Sequence, residues 1–128
     1  MPVGLRIERE EYAAVVVLEG EQESYQSTRL EPQLDALLRE GVPIVVDLSE
    51  ATFVDSTTIA VLLAAQGRAQ RGGSGFVLEM DESTAVYARR IFEITGLEAL
   101  FSIRGTRREA VTAALTGEAG VGQETEPA

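Results

Sequence analysis

At 128 residues, with 45% apolar and 25% charged side chains, the chain is sized for one soluble domain with a real core and lies outside the composition of disordered segments. Twenty-one acids against eleven basic residues set a net charge of −10, which repels nucleic acid phosphates and anionic membrane surfaces and argues against direct DNA binding. The chain holds no Cys and no His, and every basic residue is Arg, so thiol and imidazole catalysis, the usual zinc sites, Schiff bases and the lysine of a phosphate-binding loop are excluded.

In chain order, Gly4 to Glu10 alternates apolar Leu5 and Ile7 with charged Arg6 and Glu8, the period of a half-exposed strand. A short turn at Glu11 and Tyr12 leads into Ala13 to Leu18, an apolar, Val-rich run that reads as a buried strand ended by Gly20. A tight turn of this kind pairs the two strands antiparallel. Thr28 to Glu31 fits a capping box, so a helix is expected to open there and to carry Leu30, Leu34, Leu37 and Leu38 inward as far as Gly41. Pro32 then falls in the first turn, where a missing amide costs little.

Pro43 to Leu48 predicts a strand covered on both faces. After a loop, a helix follows Asp55 and Ser56, bears Ile59, Leu62 and Leu63, and closes at Gly72 and Gly73. Phe76 to Met80 is the next strand, and Ser83 to Thr95 the next helix, with Val86, Tyr87, Ile91 and Ile94 as its inward side. Leu100 to Ile103 gives a last strand, and Thr106 opens a final helix. From Gly117 the composition turns to Gly, Glu, Gln and Pro, so a domain over residues 1–116 is expected to carry a disordered acidic tail over 117–128. Alternation of strands and helices predicts an α/β domain with a mostly parallel sheet of about five strands, an antiparallel first strand and about four helices.

No apolar run reaches the length of a membrane span, and Met1 to Arg9 lacks the apolar core of a secretory leader, so membrane insertion is not expected and a cytoplasmic location is. Other local patterns have plain readings. Gly72-Gly73-Ser74-Gly75 precedes a strand rather than a helix and has no Lys after it, which makes it a turn. Arg89-Arg90 and Arg107-Arg108 are expected at solvated, salt-bridging positions on helix faces. Asp47 and Asp55 are expected to serve the loop and the helix cap rather than an acid-base pair or a magnesium site. A hydrolase or nucleotide-binding protein would need a base or a phosphate loop that the chain does not supply, so no enzyme activity and no cofactor are expected.

The most informative stretch is Val45-Val46-Asp47-Leu48-Ser49-Glu50-Ala51-Thr52-Phe53-Val54-Asp55-Ser56-Thr57, a strand and a loop that end on a helix start. It resembles the signature of the STAS domain family, in which an apolar strand ends in Asp-Leu, a short loop passes an aromatic and an aliphatic residue, and Asp-Ser opens the next helix. Gly20-Glu21, Gly72-Gly73 and Ile94-Thr95-Gly96-Leu97 extend the resemblance over roughly residues 5–116. It departs from the family at Thr58-Ile59-Ala60, where members commonly carry Gly-Leu-Gly, and at Gln22-Glu23, where they often carry an aliphatic residue and Asp.

Within that family the resemblance is to anti-sigma factor antagonists, which an anti-sigma factor that is also a serine kinase phosphorylates on the Ser after the Asp. It implies Ser56 as phosphoacceptor, with Thr57 and Thr58 as alternatives, and a partner-binding surface of Glu21, Glu23, Asp55, Ser56, Thr57 and Thr58. The ATP would be bound by the partner, and phosphate would end the complex and so regulate transcription dependent on the sigma factor. The resemblance also admits an unphosphorylated STAS scaffold or sensor module of a larger signalling or transport assembly. A Ser or Asp before an apolar helical run is, on its own, most simply an N-cap.

Overall fold

The computed structural model describes residues 4–10, 12–22 and 24–120, with the side chains of 24–27 left aside. In chain order the elements are β1 (Gly4–Glu10), β2 (Ala13–Gln22), α1 (Ser24–Glu40), β3 (Ile44–Asp47), β4 (Ala51–Val54), α2 (Ser56–Arg71), β5 (Phe76–Glu79), α3 (Val86–Thr95), β6 (Ser102–Arg104) and α4 (Arg107–Leu115), with a 3-10 turn at Leu97–Ala99. The sheet runs β1-β2-β3-β5-β6. Its first pair is antiparallel, with Ile7 opposite Val16, and the pairs from β2 to β6 are parallel. The expected α/β class and its antiparallel first strand are therefore what the chain builds.

The apolar runs divide by strict alternation. Ala14, Val16 and Leu18 of β2, Ile44 and Val46 of β3, and Phe76 and Leu78 of β5 face a large core closed by α1, α2 and α3. Their neighbours Val15, Val17, Val45 and Val77 face a smaller core closed by α4 alone. Three helices thus cover one face of the sheet and one covers the other, which is why the central strands read as continuous hydrophobic segments.

Six expectations are corrected. The segment read as a loop before Asp55 contains β4, which pairs in parallel with the last residues of β2 while β3 pairs with its first half. A four-residue strand with buried ends and exposed Thr52 and Phe53 between them shows no period-two signal.

α1 begins at Ser24 rather than Thr28, so Pro32 stands in the helix interior instead of the first turn. A helix already nucleated and packed by Leu30, Leu34 and Leu37 extends upstream at a gain of one hydrogen bond per residue, past a local capping pattern.

α3 begins at Val86 rather than Ser83 because the Asp81 carboxylate accepts from the Ser83 amide at 2.8 Å, the Ser83 hydroxyl at 2.6 Å and the Thr84 amide at 3.3 Å, an Asx-type turn that takes these residues out of the helix. Its inward residues are Ala88 and Phe92, whereas Val86 and Ile94 are exposed. β6 is shifted to Ser102–Arg104 because the 3-10 turn occupies the residues just before it.

The last correction concerns the chain after α4. Glu118 accepts from the Phe76 amide at 2.9 Å through its carbonyl, pairs with Arg104 at 2.7 Å and accepts from the Ser102 hydroxyl. Ala119 is buried, and its carbonyl accepts from Gln66 Nε2 at 2.6 Å, while the Gly120 carbonyl accepts from Gln70 Nε2 at 2.9 Å. Residues 117–120 are thus strapped across the N-terminal edge of β5 and β6, not part of a loose tail. Glu11, expected in the first turn, and residues 121–128 of the expected tail lie outside the described residues.

Candidate docking and phosphoacceptor site

Three backbone segments meet where β2 and β4 end and α2 begins. The Gln22 carbonyl accepts from the Asp55 amide at 3.0 Å and from the Thr58 hydroxyl at 3.4 Å, pinning the start of α2 to the end of β2. Gln22 is itself buried and donates from Nε2 to the Glu19 carbonyl at 2.8 Å and the Gly4 carbonyl at 3.3 Å. Asp55 is the N-cap of α2, with extended backbone at φ −91° and ψ 175°, and its Oδ1 accepts from the Thr58 amide at 2.9 Å. Capping of this kind contributes about 1 kcal/mol.

Ser56 is the first residue of α2 and is exposed, as is Thr57. Because Asp55 performs the capping, the Ser56 hydroxyl stands at the positive end of the helix dipole without a structural task among the described residues. A phosphate there would meet the first amides of the helix, which have no intrahelical acceptors.

Thr58 is different. It is fully buried, so its hydroxyl offers nothing to a partner or a kinase, and the expectation that it shares the docking surface is corrected. The signal was present in the sequence: Thr58, Leu62, Ala65 and Ala69 fall on one helical face, all buried. Since this side chain points inward, replacing a family Gly by Thr58 leaves the outer surface of the helix start unobstructed.

Glu21 is exposed and shares a register position with Phe53 on the neighbouring strand. Phe53 reaches across to Tyr87 of α3, with ring centroids 5.6 Å apart. Glu23 lies outside the described residues.

Asp47 and Asp55 do not form a pair. Asp47 accepts from the Ser49 amide at 2.9 Å and from Arg107 Nη2 at 3.0 Å. Arg107 also donates to Glu79 at 2.7 Å, Glu8 at 2.9 Å and Glu10 at 3.0 Å, so it forms the salt bridges expected of it, but as the partly buried hub of four carboxylates and not at a solvated position. Burial opposes its charge, but its hydrogen bonds to Glu79, Asp47 and Glu8 outweigh this and lift its pKa above the ordinary arginine value. Sequence proximity could not reveal the hub, since Glu8 and Arg107 are 99 residues apart. Among the described residues no group of His, Cys, Asp or Glu is arranged to hold a metal ion, and no helix is long and apolar enough to cross a membrane.

A small α/β domain with an exposed hydroxyl at a capped helix start is what these elements define. The family model described as "Mlab, STAS domain" matches residues 5–104, and the chain belongs to the STAS domain family. The anti-sigma-B factor antagonist of Listeria monocytogenes is 28% identical over 95 residues, which span 73% of this chain and 81% of that protein. The crystal structure of an anti-sigma factor antagonist from Mycobacterium paratuberculosis is similar with a TM-score of 0.73 at 24% identity, over 89% of this chain and 95% of that one. The Bacillus cell fate determinant SpoIIAA in its phosphorylated form shares the fold with a TM-score of 0.65 at 18% identity, over 85% of this chain and 97% of that one.

Proposed function

We propose that this chain is an anti-sigma factor antagonist of the cytoplasm. Its unmodified form binds a kinase-type anti-sigma factor, which carries the ATP and frees its sigma factor, and phosphorylation at Ser56 ends the complex. The chain itself acts by docking, without catalysis, cofactor or contact with DNA. One observation carries this reading beyond the similarity to antagonists: Asp55 caps α2, so the exposed Ser56 hydroxyl is left over for a switch. Phosphate would add about −1.5 to −2 charge to a surface on a protein whose net charge is already −10. SpoIIAA, a protein of the same fold, has itself been solved in a phosphorylated form.

The test uses the kinase-type anti-sigma factors encoded in the same genome, each purified and mixed with the protein and ATP. Mass spectrometry should find phosphate on Ser56, or on the adjacent Thr57, and titration calorimetry should show a complex with the unmodified protein that Ser56→Glu abolishes and Ser56→Ala retains. No phosphate and no complex would overturn the reading. A complex indifferent to Ser56→Glu would instead place the chain with the unphosphorylated scaffold or sensor modules of larger signalling or transport assemblies.

A further inference from the structure

Phe53 of β4, just ahead of Ser56 in the chain, and Val86 at the start of α3 leave large apolar side chains in water. Val86 is 62% exposed, Phe53 is 37% exposed, and Tyr87 is half-buried with its ring against Phe53. A helix that merely covers the sheet would turn such residues inward, as Ala88 and Phe92 do on the same helix. Instead β4 and α3, joined by the Phe53–Tyr87 ring contact, leave aromatic and aliphatic side chains at the surface. Contiguous exposed apolar side chains beside a polar functional group are the mark of an interaction surface.

Charge identifies what fits there. The acids at the β2–β4 end and before α3 are mostly committed: Glu19 and Glu50 pair with Arg6, and Glu82 pairs with Arg89. Glu21, level with Phe53 on the adjacent strand and exposed, pairs with no arginine among the described residues. An aromatic face beside an uncommitted carboxylate suits a guanidinium or ammonium group, which stacks on the ring and pairs with the acid.

We infer that the docking face extends from Ser56 and Thr57 across Glu21 and Phe53 onto Tyr87 and Val86 of α3, and that the anti-sigma partner meets it with an apolar group beside a basic side chain. This inference rests on the function proposed above and assigns α3 to the interface, which neither the Asp-Ser segment nor its cap requires. It also gives the switch a physical basis, since a dianion on Ser56 would have to be desolvated against the apolar contact when the partner closes over it.

The experiment measures binding of the anti-sigma factor that complexes the wild-type chain, for Phe53→Ser, Val86→Ser, Glu21→Gln and, as a control on the opposite face of the sheet, Leu115→Ser. Thermal melts of each variant report folding separately. Phe53→Ser and Val86→Ser are expected to weaken the complex by about tenfold or more. Glu21→Gln should flatten the decline of affinity with salt, and Leu115→Ser should leave affinity within about twofold. Wild-type binding with Phe53 and Val86 variants unchanged overturns the extended face while leaving the proposed function standing. Failure of the wild-type chain to bind any of the anti-sigma factors removes the function and this face with it. Should the wild-type chain self-associate in ultracentrifugation and Phe53→Ser abolish that, the occupant is a second copy and the assignment to the partner is overturned.

Discussion

Asp47 and Glu79 are register partners at the ends of adjacent parallel strands, two carboxylates with side chains only 4% and 9% exposed, and the guanidinium of Arg107 bridges them. The last helix is thereby tied to β3, the strand from which the chain departs toward β4 and Ser56. Like charges side by side and out of water are tolerable only while the bridging cation is present.

Replacing Arg107 by Met keeps the length of the side chain and removes the charge. Two nearly buried carboxylates would then face each other uncompensated, which costs about 3–5 kcal/mol. The melting temperature should fall by roughly 10 °C or more, read by circular dichroism. Arg108→Met, one residue on and exposed, serves as the comparison and should change little. Equal effects of the two substitutions would show that the hub does not hold α4.

The same cluster sets a pH dependence of definite sign. Burial raises the Glu79 carboxyl above its ordinary value, with Asp47 and Glu10 adding to the effect and Arg107 opposing it. Its ionised form therefore weakens the fold at neutral pH, and that penalty fades as pH falls through its folded pKa toward 4.5, the ordinary glutamate value. Glu50 shifts the same way, through desolvation and its hydrogen bond with Glu19, but it is exposed and screened. Glu8, held down by its hydrogen bonds from Arg6 and Arg107, Asp35 by that from Arg68, and Asp81 by those from Ser83 act oppositely. Their stabilisation is complete above their ordinary values, 4.5 for Glu8 and 3.8 for the aspartates, and is lost as pH falls through their folded pKa values. Melting temperature should hence rise as pH falls from neutral toward the ordinary glutamate value of 4.5 and decline at more acid pH, a limb that solvent screening of Glu8, Asp35 and Asp81 keeps shallow. In Glu79→Gln the rise should vanish and the acid limb remain; a rise that persists would assign it to another group.

Two glycines separate crowding from backbone strain. A Cβ added to Gly75 would lie 2.0 Å from the Ala114 carbonyl oxygen, whereas one added to Gly41, at φ +83°, would meet nothing within 4 Å. Gly75→Ala must push α4 off the sheet and should cost roughly 3 kcal/mol or more. Gly41→Ala bears only the left-handed backbone penalty, about 1–2 kcal/mol. Chemical denaturation measures both, and comparable losses would contradict the close seat of α4 on the β5 entrance.

The central strands were legible because Ala13 to Leu18 and Pro43 to Leu48 are covered on both faces, so burial appears in sequence as an unbroken apolar run. Ser56 was singled out by the family resemblance of the Asp55-Ser56 segment, since the local pattern alone reads as a helix cap, and it stands exposed as the first residue of α2. β4 was hidden because its pairing with Gly20–Gln22 is supplied by a strand distant in sequence, not by its own four residues. The role of Arg107 was hidden for the same reason, its four carboxylates being gathered from three strands. Thr58 was misplaced by treating neighbouring hydroxyls as equivalent, although helical phase sends the third of them inward.

The strap formed by Glu118, Ala119 and Gly120 has a practical bearing on how the protein is handled. It delivers the chain to the Gln66 and Gln70 end of α2, a rod of 16 residues and so about 24 Å long, with Ser56 at the other end. A fluorophore or affinity handle appended beyond Gly120 departs from the far rim of the molecule. Immobilised through such a handle on a sensor chip, the protein would present the Ser56 end of α2 to the flowing solution.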